Sequence, residues 1–250
     1  MLGEPILNLS PIALMVFLSV VFVAAIVRGY SGFGFSTILM IGAMPVISPT
    51  QLVPLSIALE ILASVSQAPR VLMAINRRYL STLLAASFVG IPIGVYALNY
   101  MAEEYLRAMV YFSVLAAALS FLLRKPKPLK PLGIHLVSAG FIAGAVNGAT
   151  SLSGLVLALF FTASTTSSQT MRATMIAYLF FTDVMTGGLL AATNHYDAEA
   201  VWQIVVAIPF LLAGVGLGSW QFFVAPSKSF KTVVIWLVLV FCIIGIAQLF

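Results

Sequence analysis

The chain has 250 residues, 62% hydrophobic and 8% charged, where soluble domains run about 45–50% apolar and 25% charged. That balance excludes a soluble enzyme or binding module and defines an all-α polytopic membrane protein. The net charge of +5 is no signal for nucleic acid, because the bases cluster between apolar runs, as they do in cytoplasmic loops.

Taken in order, residues 1–11 are a short lead with Glu4 and two prolines. It has neither a basic leader nor a small-residue cleavage site, so no signal peptide is expected. Two apolar runs, 12–27 and 35–47, flank the stretch 28–36 (RGYSGFGFS). Each run falls short of the roughly 20 residues of a spanning helix, and the glycines between them predict a break at membrane depth. Residues 50–75 read as a long helix with Pro54 and Glu60, 79–99 as a span with Gly90 and Gly94, and 104–124 as another. The Lys/Pro-rich stretch 125–131 is a stiff linker.

The plan then returns. Runs 132–147 and 154–163 flank a second break at 147–154 (NGATSLSG). A long helix over 168–192 carries Asp183, 199–223 spans with Gly214 and Gly218, and 229–250 spans last. Gly90, Gly94 and Arg107 have the spacing of Gly214, Gly218 and Lys231. The expected architecture is two inverted-topology repeats, 1–124 and 132–250. Each holds a broken re-entrant helical hairpin and three spanning helices. Bases at 70, 77, 78, 124–130, 228 and 231 then fall on one side. Glu4, Glu103, Glu104, Asp197 and Glu199 fall on the other, with Arg107 against the trend. The positive-inside rule makes the linker cytoplasmic and puts both termini outside.

Paired, Gly/Ser-interrupted segments in two halves point to a transporter binding site. Half-helices starting near Phe35 and near Ser151 or Gly154 would aim free N–H groups at an anion. The candidate substrate-binding residues are Arg28, Gly29, Ser31, Gly32, Gly34 and Ser36 at the first break. At the second they are Asn147, Gly148, Thr150, Ser151 and Ser153, followed by Gln169 and Arg172. Arg28 follows about 24 Å of apolar helix; it reads as a bidentate anion contact or as a structural ion pair with Glu60. Arg172 reads equally as a base snorkelling to the surface. Glu60 and Asp183, the acids inside spans, are candidates for proton coupling or ion pairing. Glu60 is the expected neighbour of Arg28 and Asp183 the expected proton carrier, with Ser64 the repeat counterpart of Asp183. Gln67 and Tyr178 are possible lining residues, and His135 and His195 are given no role. Cys242 is alone, so no intrachain disulfide forms. No Cys/His cluster has metal-ligand spacing and no phosphate-binding loop is present, so no cofactor is expected.

Four stretches carry a family likeness: the breaks at 29–34 and 148–154, the run 171–178 (MRATMIAY), and Gly214–Gly218 followed by Trp220. With them the chain resembles the sulfite exporter TauE/SafE family of membrane proteins. The family's breaks often carry consecutive glycines, whereas Phe33 separates the glycines here and Ser151–Ser153 stand in the second break. The resemblance implies export of sulfite or a small organosulfonate across the bacterial inner membrane. The expected partners are that small anion and the lipid bilayer. Two other readings stay open. One is a passive small-anion channel; the other is an intramembrane serine hydrolase with Ser153 as nucleophile, whose nearest histidine by depth is His195.

Overall fold

A computed structural model describes residues 10–123, 133–162, 164, 166–224 and 236. The linker 125–131, nearly all of the expected last span 229–250, and the bases at 124, 228 and 231 lie outside the described residues. Among the described residues nine α-helices follow in order: α1 Pro11–Ser31, α2 Phe35–Ala43, α3 Pro49–Val71, α4 Arg77–Tyr100, α5 Glu103–Leu123, α6 Gly133–Thr150, α7 Ser153–Thr162, α8 Ser168–Ala192 and α9 Ala198–Val224. A 3-10 turn, Leu72–Ala74, follows α3. Among the described residues, α1, α3, α4, α8 and α9 are long and apolar enough to cross a bilayer. The chain is a multi-pass membrane protein.

Local chemistry sets the helix ends. Ser10 accepts from the Ala13 N–H at 3.1 Å and Pro11 opens α1, a favoured pairing at an N-terminus. Asn76 caps α4 and Ser167 caps α8 through their side-chain oxygens. At its far end α1 stops at Gly32, whose φ is +82° and whose N–H reaches the Arg28 carbonyl at 2.9 Å. The second half repeats this stop. Ser151 has φ +60° and its N–H reaches the Asn147 carbonyl, also at 2.9 Å.

Both breaks are therefore shorter than the sequence suggests. α1 continues through Arg28, Gly29, Tyr30 and Ser31, and only residues 32–34 are non-helical. At 21 residues α1 is a full span rather than a short half. α6 likewise runs through Thr150, leaving Ser151 and Leu152 as the break. The short partners are α2 and α7, with 9 and 10 residues.

Gly29 and Gly148 do not break helices; they let helices touch. A Cβ on Gly29 would lie 2.5 Å from the Val215 carbonyl and 2.9 Å from the Ser219 nitrogen. One on Gly148 would meet the Ile91 carbonyl and lie 2.6 Å from the Val95 nitrogen. α1 thus packs along α9, and α6 along α4, at backbone distance. In both pairs residue numbers rise together: Gly214 meets Phe22 and Ala25, Gly218 meets Ile26 and Tyr30, Gly90 meets Phe141, and Gly94 meets Ala145 and Ala149. The pairs are parallel. α3 and α8 are antiparallel, with Val71 beside Ala173 and Ile176 at one end and Tyr196, just past α8, bonded to the Pro54 carbonyl at the other. Phe88, Ile93, Tyr96, Leu217 and Trp220 turn outward, as apolar faces in hydrocarbon do.

Among the described residues, Gly32 is the one glycine that needs both a left-handed backbone and space. A Cβ there would lie 2.8 Å from Arg172 Cγ. Gly32→Ala is expected to destabilise the protein by about 1–2 kcal/mol, seen as a lower melting temperature in detergent. Gly188→Ala, where nothing lies within 4 Å, should leave it unchanged.

Candidate functional site

The two breaks meet. A Cβ on Gly154, at the start of α7, would lie 3.3 Å from Phe33 Cβ and 3.8 Å from the Gly34 nitrogen. Gly34, with φ +89°, caps the N-terminus of α2 without a side-chain hydrogen bond.

Beside this junction runs a buried polar chain. Arg28 is fully buried; Nη2 donates to Ser64 Oγ at 2.7 Å and Nη1 to the Gly32 carbonyl. Its Nε stands 4.0 Å from Glu60 Oε1, an ion pair without a direct hydrogen bond. The Glu60 carboxyl lies among Arg28, Ser36 and Asp183. Asn147 Nδ2 donates to Asp183 Oδ1 at 3.1 Å and to Thr186 Oγ1 at 3.0 Å, and Ser153 Oγ donates to Asn147 Oδ1 at 2.7 Å. The chain of contacts therefore links α1, α2, α3, α8, α6 and α7. The pairs Arg28–Ser64, between α1 and α3, and Asn147–Asp183, between α6 and α8, each span 36 residues.

The expected sites divide into two groups. Arg28, Ser36, Glu60, Asn147, Ser153 and Asp183 gather in this chain, and Gly32, Gly34, Ser31 and Ser151 shape the turns beside it. Ser31 Oγ bonds the Val27 and Phe33 carbonyls, and Ser151 Oγ bonds Ser56 at 3.1 Å. Thr150 bonds back to the Val146 carbonyl at 2.9 Å. Gly29 and Gly148 face neighbouring helices instead, as described above. Gln169 is exposed on the first turn of α8 and is not brought to the junction.

Arg172 does not snorkel; it is 3% exposed. Nη2 donates to the Gly29 carbonyl at 2.7 Å, Nε donates to the Tyr30 carbonyl at 3.2 Å, and the guanidinium lies 4.3 Å from the centre of the Phe222 ring. A cation on the last carbonyls of α1 suits the negative end of the helix dipole. Gln67 and Ser219 donate to the same Gly29 carbonyl. Tyr178 is likewise committed, 2.6 Å from Ser87 Oγ. Ser153 has an amide oxygen as its acceptor, and His195 bonds Thr193 beyond the end of α8.

Sequence reasoning gave no role to Ser56, Thr186, Ser219 or Phe222, and noted Ser64 only as a counterpart. The shared 36-residue separation was the available signal for Ser64; the others are held by contacts from distant helices.

Interrupted helices thus meet inside a multi-pass membrane bundle beside a buried arginine. The family model for the sulfite exporter TauE/SafE matches residues 17–246, and the chain belongs to that family. No individual curated protein and no solved structure matches it.

Proposed function

We propose that the protein is a secondary transporter that exports sulfite or a small organosulfonate across the bacterial inner membrane. The observation that carries this reading is Arg28, a wholly buried arginine at the point where two broken helices meet. A sulfonate offers three oxygens and one charge, matched to a guanidinium edge and the N–H groups of α2 and α7. The other ligands in this reading are Ser31, Gly32, Gly34, Ser36, Asn147, Thr150, Ser151 and Ser153. The coupling groups are Glu60 and Asp183.

The two halves are inverted repeats in this reading. Its support is that α3 and α8 occupy corresponding places yet run antiparallel, while parallel α1–α9 has its counterpart in parallel α6–α4. Inversion also fits the charges. Thr50 donates to Glu103 and Arg107 donates to the Met44 carbonyl at one end, while exposed Arg77 and Arg78 stand at the other, where the Asn76 N–H meets Thr174. In a Cys242→Ser background, Met73→Cys and Lys127→Cys should react only from the cytoplasm and Glu104→Cys only from outside. Labelling of Glu104→Cys from the cytoplasm would reverse the assignment.

Transport is tested with purified protein in liposomes holding equal isethionate inside and out. A pH step across the bilayer should drive net isethionate movement. Flux indifferent to the pH step is that of a passive anion channel.

A further inference from the structure

We propose that the transported anion and the Glu60 carboxylate are alternative partners of Arg28, so that each anion bound brings one proton onto the Glu60–Asp183 pair. The inference rests on the transporter reading and supplies its stoichiometry.

The argument begins with charge. Among the described residues, Arg28 is the cation of the polar chain; Arg172, also buried, is committed to the carbonyl end of α1 and to Phe222. Two carboxyl groups, Glu60 and Asp183, share that single guanidinium. The empty site is neutral only when one of the two holds a proton. A bound monoanion adds a negative charge, and neutrality then requires a proton on each. An uncompensated charge is expensive among groups as buried as Arg28, Glu60 and Asp183, so anion and proton arrive together.

The geometry permits the exchange. A committed Arg–carboxylate pair is bidentate with N···O near 2.8 Å, whereas Arg28 and Glu60 are held at 4.0 Å. Arg28 Nε, Glu60 Oε2 and Asp183 Oδ2 are buried without a hydrogen-bond partner. Ser36, in the first turn of α2, faces Glu60, so the carboxylate sits at the helix N-terminus that the sequence reserves for the substrate. Anion and carboxylate therefore compete for one set of donors. Once protonated, Glu60 has Asp183 beside it, and Asp183 keeps the Asn147 amide on Oδ1.

Among the described residues, the remaining titratable groups near the pair are tyrosines. Tyr178 hydrogen-bonds Ser87 from α8. Tyr196, in the loop after α8, is bonded to the Pro54 carbonyl, and burial followed by the Asp183 charge holds its phenol above the usual range. Facing residues from α2 and α6, Ser36 and Asn147, do not titrate.

Loaded and empty sites are both neutral in this scheme. The anion travels with a proton rather than against one, and net flux runs toward the alkaline side when anion concentrations are equal. Export then requires an internal excess of anion larger than the opposing proton ratio.

The test uses methanesulfonate, which carries no proton of its own in the working range, added to purified protein in weakly buffered detergent. An indicator dye should report about one proton taken up per anion bound, with affinity rising roughly tenfold per unit fall in pH. Glu60→Gln and Asp183→Asn singly should each retain uptake, since one carboxyl remains to be neutralised. The double variant should lose it. Binding without proton uptake in the parent overturns the inference and leaves the transporter reading standing. Uptake lost in Asp183→Asn alone assigns the proton to Asp183 and overturns the sharing. Absence of any binding to the folded parent overturns both.

Discussion

Arg28→Ala should cost the protein both its anion and much of its stability. The substitution removes a charge-assisted contact to the substrate, worth about 2–3 kcal/mol, roughly a 30- to 150-fold loss of methanesulfonate affinity. It also strands Glu60 in the core. Breaking a buried pair from one side typically costs about 3–5 kcal/mol, so the detergent melting temperature should fall sharply. The two effects separate in Arg28→Ala/Glu60→Gln, which removes the orphaned charge: stability should return in large part while binding stays lost. Arg28→Lys keeps the charge but not the planar fork that reaches Ser64 and Gly32 together, and should recover binding only partly. Full affinity in a folded Arg28→Ala protein would reduce Arg28 to a structural partner of Glu60.

Gly218→Ala is expected to be as damaging as any single methyl group can be. Its Cβ would run into the Ile26 carbonyl and lie 2.8 Å from the Tyr30 nitrogen. Both obstacles are backbone, which no rotamer change relieves. Separating α1 from α9 would also pull Ser219 from the Gly29 carbonyl and loosen the end of α1 that carries Arg28. A loss on the order of 3 kcal/mol is expected, measured by melting and by the monodisperse fraction after extraction. Gly216→Ala is the control on the same helix, since nothing lies within 4 Å of its Cβ position. Equal melting of the two variants would mean that the α1–α9 contact is not as close as described.

How the sequence misplaced the breaks follows from these same glycines. Glycine marks both a turn and a close helix contact, and a single chain does not say which. Gly29 and Gly148 serve contacts, whereas Gly32 and Gly34 serve the turn, so the expected breaks came out too long and α1 too short. The long helix after the second break was legible despite Gly187 and Gly188: the sequence gives 168–192 for α8, the range observed. Buried charge was legible because an acid or base inside an apolar run has few explanations, which singled out Arg28, Glu60 and Asp183. Arg172 was not, because a base near a helix start resembles a surface residue until α1 and Phe222 are seen to cover it. Serines such as Ser56 and Ser219 carry no local signal at all; their partners come from other helices.

The exchange of helices between halves also bears on how the protein is made. The face of α1 that receives Gly214 and Gly218 waits for α9, and Gly29 and Ser219 are 190 residues apart. At about 5–20 residues per second, that is roughly 10–40 s of synthesis. Ser64 emerges only 36 residues after Arg28, so the arginine finds its partner early. The carbonyl end of α1, by contrast, meets Gln67 early but Arg172 and Ser219 only later. A ribosome stalled before α9 would leave in the membrane an incomplete chain with this face of α1 uncovered. Insertases and membrane proteases read such a surface as unfinished, and truncated products should be degraded rather than accumulate.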